Sequence, residues 1–364
     1  MLFTSHPKNP NEQTYLTGLK GLLVLESFLW VFLRTFTPAT IDAADPLNNV
    51  NSPEYQVILR KVLSVLFWNE NLLYSSFILL SARCITVPFI KNSTGAKIAG
   101  SYFRRGIRLL LPTAVSLAIS YGIFSGIGYS YLTTFKHVTG NTIMEELYQI
   151  PNALVYFNSV FNVFWVTNGF GTQAAALAWP TQTLWIISVI FQQSYTVYMT
   201  MVMIPYTRNS WRVKALLLFI LTAFWVQSWA WFTITGLLIA DIVCNMSYKE
   251  KFGKGIPISG VKFRLPSWMP CVLLMATGLA LQHIWVDWRP EYQNVLLEGH
   301  TGLYYTGGLN YDYDLHQPQA RDENYLLLTG FMLLLEGSDI LQFLLNNPVF
   351  RFLGRRSLSK SPSW

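Results

Sequence analysis

Eight apolar runs, at roughly 17–36, 71–90, 107–128, 182–205, 213–229, 231–246, 267–287 and 324–345, dominate this chain. A helix needs about 20 predominantly apolar residues to cross the hydrocarbon core of a bilayer. Lipid offers backbone groups no hydrogen-bond partners, so runs of this length predict helices rather than isolated strands. The fold class that follows is an all-α, polytopic integral membrane helix bundle of about eight transmembrane helices, read as a single domain over 1–364. The fifth and sixth runs lie near the lower length limit and read as a tight re-entering pair.

Composition agrees with a chain solvated largely by lipid. Only 12% of residues are charged, while 52% are hydrophobic and 15% aromatic; a soluble domain averages about 25% charged. The net charge of +7 invites a nucleic-acid partner, but the basic residues fall in short clusters between apolar runs. That layout is the one the positive-inside rule produces, so no nucleic-acid binding is expected. Cys84, Cys244 and Cys271 lie in or beside apolar runs and read as buried thiols, too few and too scattered for a disulfide framework or a zinc site. His6, His137, His283, His300 and His316 show no metal-ligand spacing, so no metal is expected. The polar N-terminus MLFTSHPKNPNEQTY is no signal peptide, and the first run reads as a retained anchor.

Charge fixes the expected orientation. With the N-terminus in the cytoplasm and each run crossing, one side collects Lys91, Lys97, Arg104, Arg105, Arg108, Arg208, Arg212, Lys214, Lys249, Lys251, Lys254, Lys262, Arg264, Arg351, Arg355, Arg356 and Lys360. The other side holds Arg60, Lys61, Lys136, Arg289 and Arg321 in its longer loops. The cation-rich side is therefore read as cytoplasmic, which would leave the sequons at Asn92 and Asn245 unglycosylated. The far-side loops at about 37–70, 129–181 and 288–323 are long enough to carry function. Within them GHTGLYYTGGLNYDYDLHQP (299–318) reads either as a sugar-binding segment or as an ordered tyrosine-rich cap.

Ionisable groups inside spans are functional candidates, because an unpaired charge in lipid costs several kcal/mol. Here they are Glu26, Arg83, Asp241, Glu336 and Asp339. The structural alternative is mutual neutralisation between helices, with Glu26 and Arg83 as one pair. His283, at the far-side end of the seventh run, is a candidate base for a hydroxyl nucleophile. The most specific signal is SYFRRGIRLLLPTAVSLAISYGIF (101–124), where Arg104, Arg105 and Arg108 run straight into an apolar stretch. Guanidinium forks suit phosphate oxygens, so a coenzyme A thioester is a candidate ligand there. Simple topogenic charge is the alternative.

Several segments together resemble the acyltransferase 3 family of membrane proteins, especially its fungal-type members. YLTGLKGLLVLESFLWVFLRTF (15–36) is similar to the family's opening YLxGLRG span, and FILLSARCITVPF (77–89) to its LSG-type second span. FRRGIRLLLPT (103–113) resembles FxRRxxRLxP, PTQTLWIISVIFQQSY (180–195) resembles LWxLSVEFQ, and VFRFLGRRSLSKS (349–361) resembles FLGxxSLS. The resemblance implies a membrane-bound enzyme moving an acyl group, often acetyl, from acyl-CoA to a hydroxyl on a sugar or lipid-linked acceptor. Acyl-CoA is then a co-substrate, with no tightly bound cofactor. It implies donor binding by Arg104, Arg105 and Arg108 and places Lys20 at the basic residue of the opening motif. The family's catalytic histidine position falls on Val31, and the glutamate of LWxLSVEFQ falls on Ile190. Lys20, Glu26 and His283 are the remaining catalytic candidates. A non-catalytic family member, or a binder or transporter of a lipid or metabolite, is the competing expectation. The resemblance also implies a further apolar span beyond SKSPSW, so the chain reads as truncated there.

Overall fold

The first apolar run forms α1 (Thr14–Phe36), which stops at Thr37 because Pro38 follows; the residue before a proline is disfavoured in helical geometry. The computed structural model describes residues 13–41, 53–91, 95–128, 130–139, 150–165, 183–257, 264–289 and 319–356. The segment 299–318 and the sequon at Asn92 lie outside the described residues.

Helix begins earlier on the second run than expected. Residues of the supposed far-side loop form α2 (Glu54–Leu59), a π-helical turn (Arg60–Ser64) and α3 (Val65–Phe67). After a break, α4 (Glu70–Lys91) starts where the Asn69 carboxamide accepts from the Leu72 amide at 3.1 Å, a standard N-cap contact. Next comes α5 (Gly95–Ile127), which starts twelve residues ahead of the apolar run, so its arginines sit inside the helix rather than before it. Segments expected to be far-side loop contribute α6 (Ser130–Thr139) and α7 (Ala153–Trp165). Then follow α8 (Trp185–Met203), α9 (Asn209–Trp225) and α10 (Ala230–Asn245). The turn between α9 and α10 is tight, with Gln227 in left-handed geometry at φ 49°.

Two runs bend. After α10 the chain turns by 83° into α11 (Tyr248–Lys254). A two-residue antiparallel pairing, β1 (Ile256–Pro257) with β2 (Arg264–Leu265), leads to α12 (Trp268–His283) and a π-helical turn to Trp288. The eighth run is not one helix: α13 (Asp322–Gly337) turns by 99° at Ser338 into α14 (Asp339–Leu345), followed by α15 (Pro348–Arg356). Four described helices are long and apolar enough to cross a membrane, or six if each bent pair is one span. The fifth and seventh runs fall short of that length, at 17 and 16 residues for α9 and α12.

The outer surface is apolar, unlike that of a soluble protein. On α5 the exposed residues Phe103, Ile107, Leu111, Val115 and Ile119 recur every fourth position, a continuous outward apolar ridge. Leu25, Phe28, Leu29, Phe32 and Phe36 form a similar stripe on α1. The interior, by contrast, holds Arg83, Arg212, Asp241, Gln282, Asn324 and Glu336 among its buried residues. This is an all-α membrane helix bundle.

Three helix pairs are seamed by glycine, as expected where lipid supplies no hydrophobic drive and close backbone approach must hold helices together. A methyl at Gly18 or Gly21 would collide with the Leu345 or Phe350 carbonyl, and one at Gly354 with that of Thr17. So α1 and α15 cross almost backbone to backbone. A Cβ at Gly236 would lie 2.7 Å from the Leu79 carbonyl oxygen, and one at Gly278 would lie 2.6 Å from that of Glu323. These fix α10 on α4 and α12 on α13. The largest core cluster runs through these same helices, including Leu19, Leu79, Ile234 and Leu335.

Candidate functional site

The buried charges lie where the start of α1 meets the end of α13. Tyr15 near the start of α1 donates its hydroxyl to Glu336 Oε2 at 2.6 Å, at the end of α13. From α4, Arg83 donates Nε and Nη2 to Glu336 Oε1 at 3.0 and 2.8 Å. Arg83 is 0% exposed and Glu336 3%. Arg83 stands eight residues from the end of α4, about 12 Å at 1.5 Å per residue, and its long stem reaches the carboxylate of another helix. The expected pairing with Glu26 does not form. Glu26 is half-buried midway along α1, with no hydrogen bond or ion pair to any described residue.

A second buried pair is equally well met. Arg212 donates Nε to Asp241 Oδ2 at 2.6 Å, Nη1 to the Ile204 carbonyl at 3.0 Å and Nη2 to Asn209 Oδ1 at 2.9 Å. Asn245 Nδ2 completes the carboxylate by donating to Oδ1 at 2.6 Å. Thus Asp241 is a structural anchor for α8, α9 and α10. The nitrogen that would carry a glycan at the Asn245 sequon is engaged in this network. Asp339 is exposed and pairs with Lys249 across the two bends.

The arginines of α5 do not converge. Successive residues on an α-helix diverge by about 100°, and the consequence is visible. Arg104 is exposed and folds back to donate Nε to the Gly100 carbonyl at 2.8 Å. Arg108, one turn on, is exposed beside the outward apolar ridge. Only Arg105 turns inward, donating Nη2 to Ser81 Oγ on α4 at 2.7 Å. Its Nε is buried and has no hydrogen-bond partner among the described residues. Beside it α5 is clamped to α8: Ser101 and Tyr198 share a hydrogen bond at 2.8 Å, and Tyr102 packs edge-on against Tyr195 and Tyr198. Ser81 and Arg83 are two residues apart, so the Arg105 contact and the Arg83–Glu336 pair occupy different faces of α4.

The remaining candidates are dispersed. Lys20 is buried on α1 within the glycine seam to α15. His283 ends α12, half-buried, with no hydrogen bond to a described residue. Val31 and Ile190, at the two family positions, pack partly buried against the main core. Among the described residues no group of three His, Cys, Asp or Glu side chains is placed to hold a metal. Sequence reasoning missed Tyr15, Ser81, and the buried Gln282–Asn324 hydrogen bond of 2.6 Å. A tyrosine hydroxyl or an amide inside an apolar run carries no charge to draw attention. The signal was available all the same: a buried polar group demands a partner. No family model, curated protein or solved structure matches the chain.

Proposed function

We propose that this protein is an eight-crossing membrane acyltransferase whose cation-rich end faces the cytoplasm and receives acyl-CoA there, for transfer of an acyl group to a hydroxyl acceptor. The reading makes α9 and α12 full crossings, which the alternating helix directions favour: α12 runs antiparallel to α13, and α9 to α10, through their paired contacts. The single observation that carries it is Arg105. A guanidinium that enters the bundle at the cationic end with a buried, unpartnered Nε and one bond to a serine has donor capacity left for an anion, and phosphate oxygens suit that fork. The sequence resemblance supplies the identity of the anion as the acyl donor.

The test is acyl transfer from labelled acetyl-CoA in membranes containing the full chain. Arg105→Ala should weaken donor binding by about 1–3 kcal/mol, the worth of a charge-assisted contact. Arg104→Ala, whose side chain is folded onto its own helix, should change it little. Equal effects of both would return the cluster to a topogenic role.

A second reading, a non-catalytic binder of the donor, is favoured by one observation. Val31 and Ile190 fill apolar packing positions where the resembling family places its proton-handling groups. Base catalysis typically contributes about 10²–10⁴-fold. Donor binding without turnover would select this reading.

A further inference from the structure

The run expected as one helix over 324–345 turns 99° at Ser338; α14 ends with Leu345 against Gly18, and α15 packs on the first two turns of α1. The inner face of α15 is fixed by Gly354 lodged against Thr17 and Gly21, within the first two turns of α1. Its outer face is different in kind. On α14, Ile340, Phe343 and Leu344 are 75%, 78% and 59% exposed, at the i, i+3, i+4 spacing of one stripe. On α15, Val349 and Phe352 are exposed together with Arg355 and Arg356. The Arg356 guanidinium lies 4.8 Å over the Phe352 ring. Between residues 340 and 356 there is no acidic side chain, and Asp339 at the bend is held by Lys249.

An exposed apolar stripe continuing into arginines, without a counter-charge, matches a membrane interface: acyl chains for the rings, phosphates for the guanidinium groups. We propose that α14 and α15 form a strap lying in the plane of the bilayer surface, docked on anionic phospholipid headgroups. The strap anchors the first turns of α1 to the leaflet through the glycine seam. This holds whether or not the protein transfers acyl groups.

The experiment uses the full chain carrying Val349→Cys, labelled with an environment-sensitive fluorophore, with signal from the native cysteines subtracted using the unsubstituted protein. It is reconstituted in mixed phosphatidylcholine and phosphatidylglycerol bilayers in which one lipid or the other bears bromine on its acyl chains. Brominated phosphatidylglycerol should quench the label at least about fivefold more effectively than brominated phosphatidylcholine, the preference expected from one arginine near an anionic surface. Arg355→Gln with Arg356→Gln should bring that ratio close to one. A label at Phe343→Cys should stay strongly quenched by both lipids in both proteins. Three results would overturn the proposal. They are a Val349 label quenched by neither lipid, a ratio near one in the unsubstituted strap, and a ratio unchanged by the double substitution.

Discussion

Replacing Glu336 by Ala removes the acceptor of three hydrogen bonds, at 2.6, 2.8 and 3.0 Å, and strands the Arg83 guanidinium in the bundle. Breaking a buried ion pair on one side costs about 3–5 kcal/mol in soluble proteins. Interhelical polar contacts in lipid average only about 0.6 kcal/mol, because the unfolded state in the membrane also finds partners. The charge decides between these figures. Arg83 is fully buried, and a lone arginine at depth in a helix costs about 2.5–3.5 kcal/mol, so we expect a loss of about 3 kcal/mol. Tyr15→Phe, which leaves the ion pair intact, should cost about 1 kcal/mol. Removing both charges with Arg83→Met and Glu336→Leu should recover most of the loss, since well-packed apolar replacements of a buried pair are often neutral. The assay is reversible unfolding of the full chain in mixed micelles under a rising fraction of denaturing detergent. A loss below about 1 kcal/mol for Glu336→Ala would refute the reasoning, as would a double variant no better than the single.

Gly21→Val should destabilise by at least about 2 kcal/mol in the same assay, because the branched side chain meets the Phe350 carbonyl and must push α15 off α1. Gly95→Ala, with open space around it, should be neutral. Asp241→Ala should cost about 3 kcal/mol by stranding Arg212, and the acetyl-CoA binding proposed for Arg105 should be left unchanged. That separation is read by measuring acetyl-CoA binding and unfolding on one preparation.

The class of fold was legible because apolar runs of crossing length leave a chain few choices, and α1, α8, α10 and α12 lie close to where the runs placed them. The bend after α10 falls where the sixth run ends and Lys249, Glu250 and Lys251 begin, so the break is legible in the sequence although its 83° angle is not. At Ser338 the polar stretch Glu336–Asp339 interrupts the eighth run, but nothing in it specifies a 99° turn. The membrane charges were recognised as such, yet their partners were not. Arg83 reaches Glu336 rather than Glu26 because helix packing sets which stems meet. In sequence Arg104, Arg105 and Arg108 read as one donor site, whereas helical geometry sends Arg105 inward and leaves Arg104 and Arg108 outside. The GLKG motif, which resembles a family signature, also has a plain mechanical role, since Gly18 meets the end of α14 at Leu345 and Gly21 is where α15 crosses.

The account rests on an anionic donor entering at the cation-rich end, and sidedness of binding tests that most directly. Labelled acetyl-CoA would be offered to sealed vesicles in which the full chain is inserted in one orientation, then in the other. Binding should occur only where the ends bearing Arg105, Lys249 and Arg355 face the added ligand, and Arg105→Ala should weaken it about tenfold, one charge-assisted contact's worth. Binding from the opposite face, equal binding from both, or none from either would contradict it.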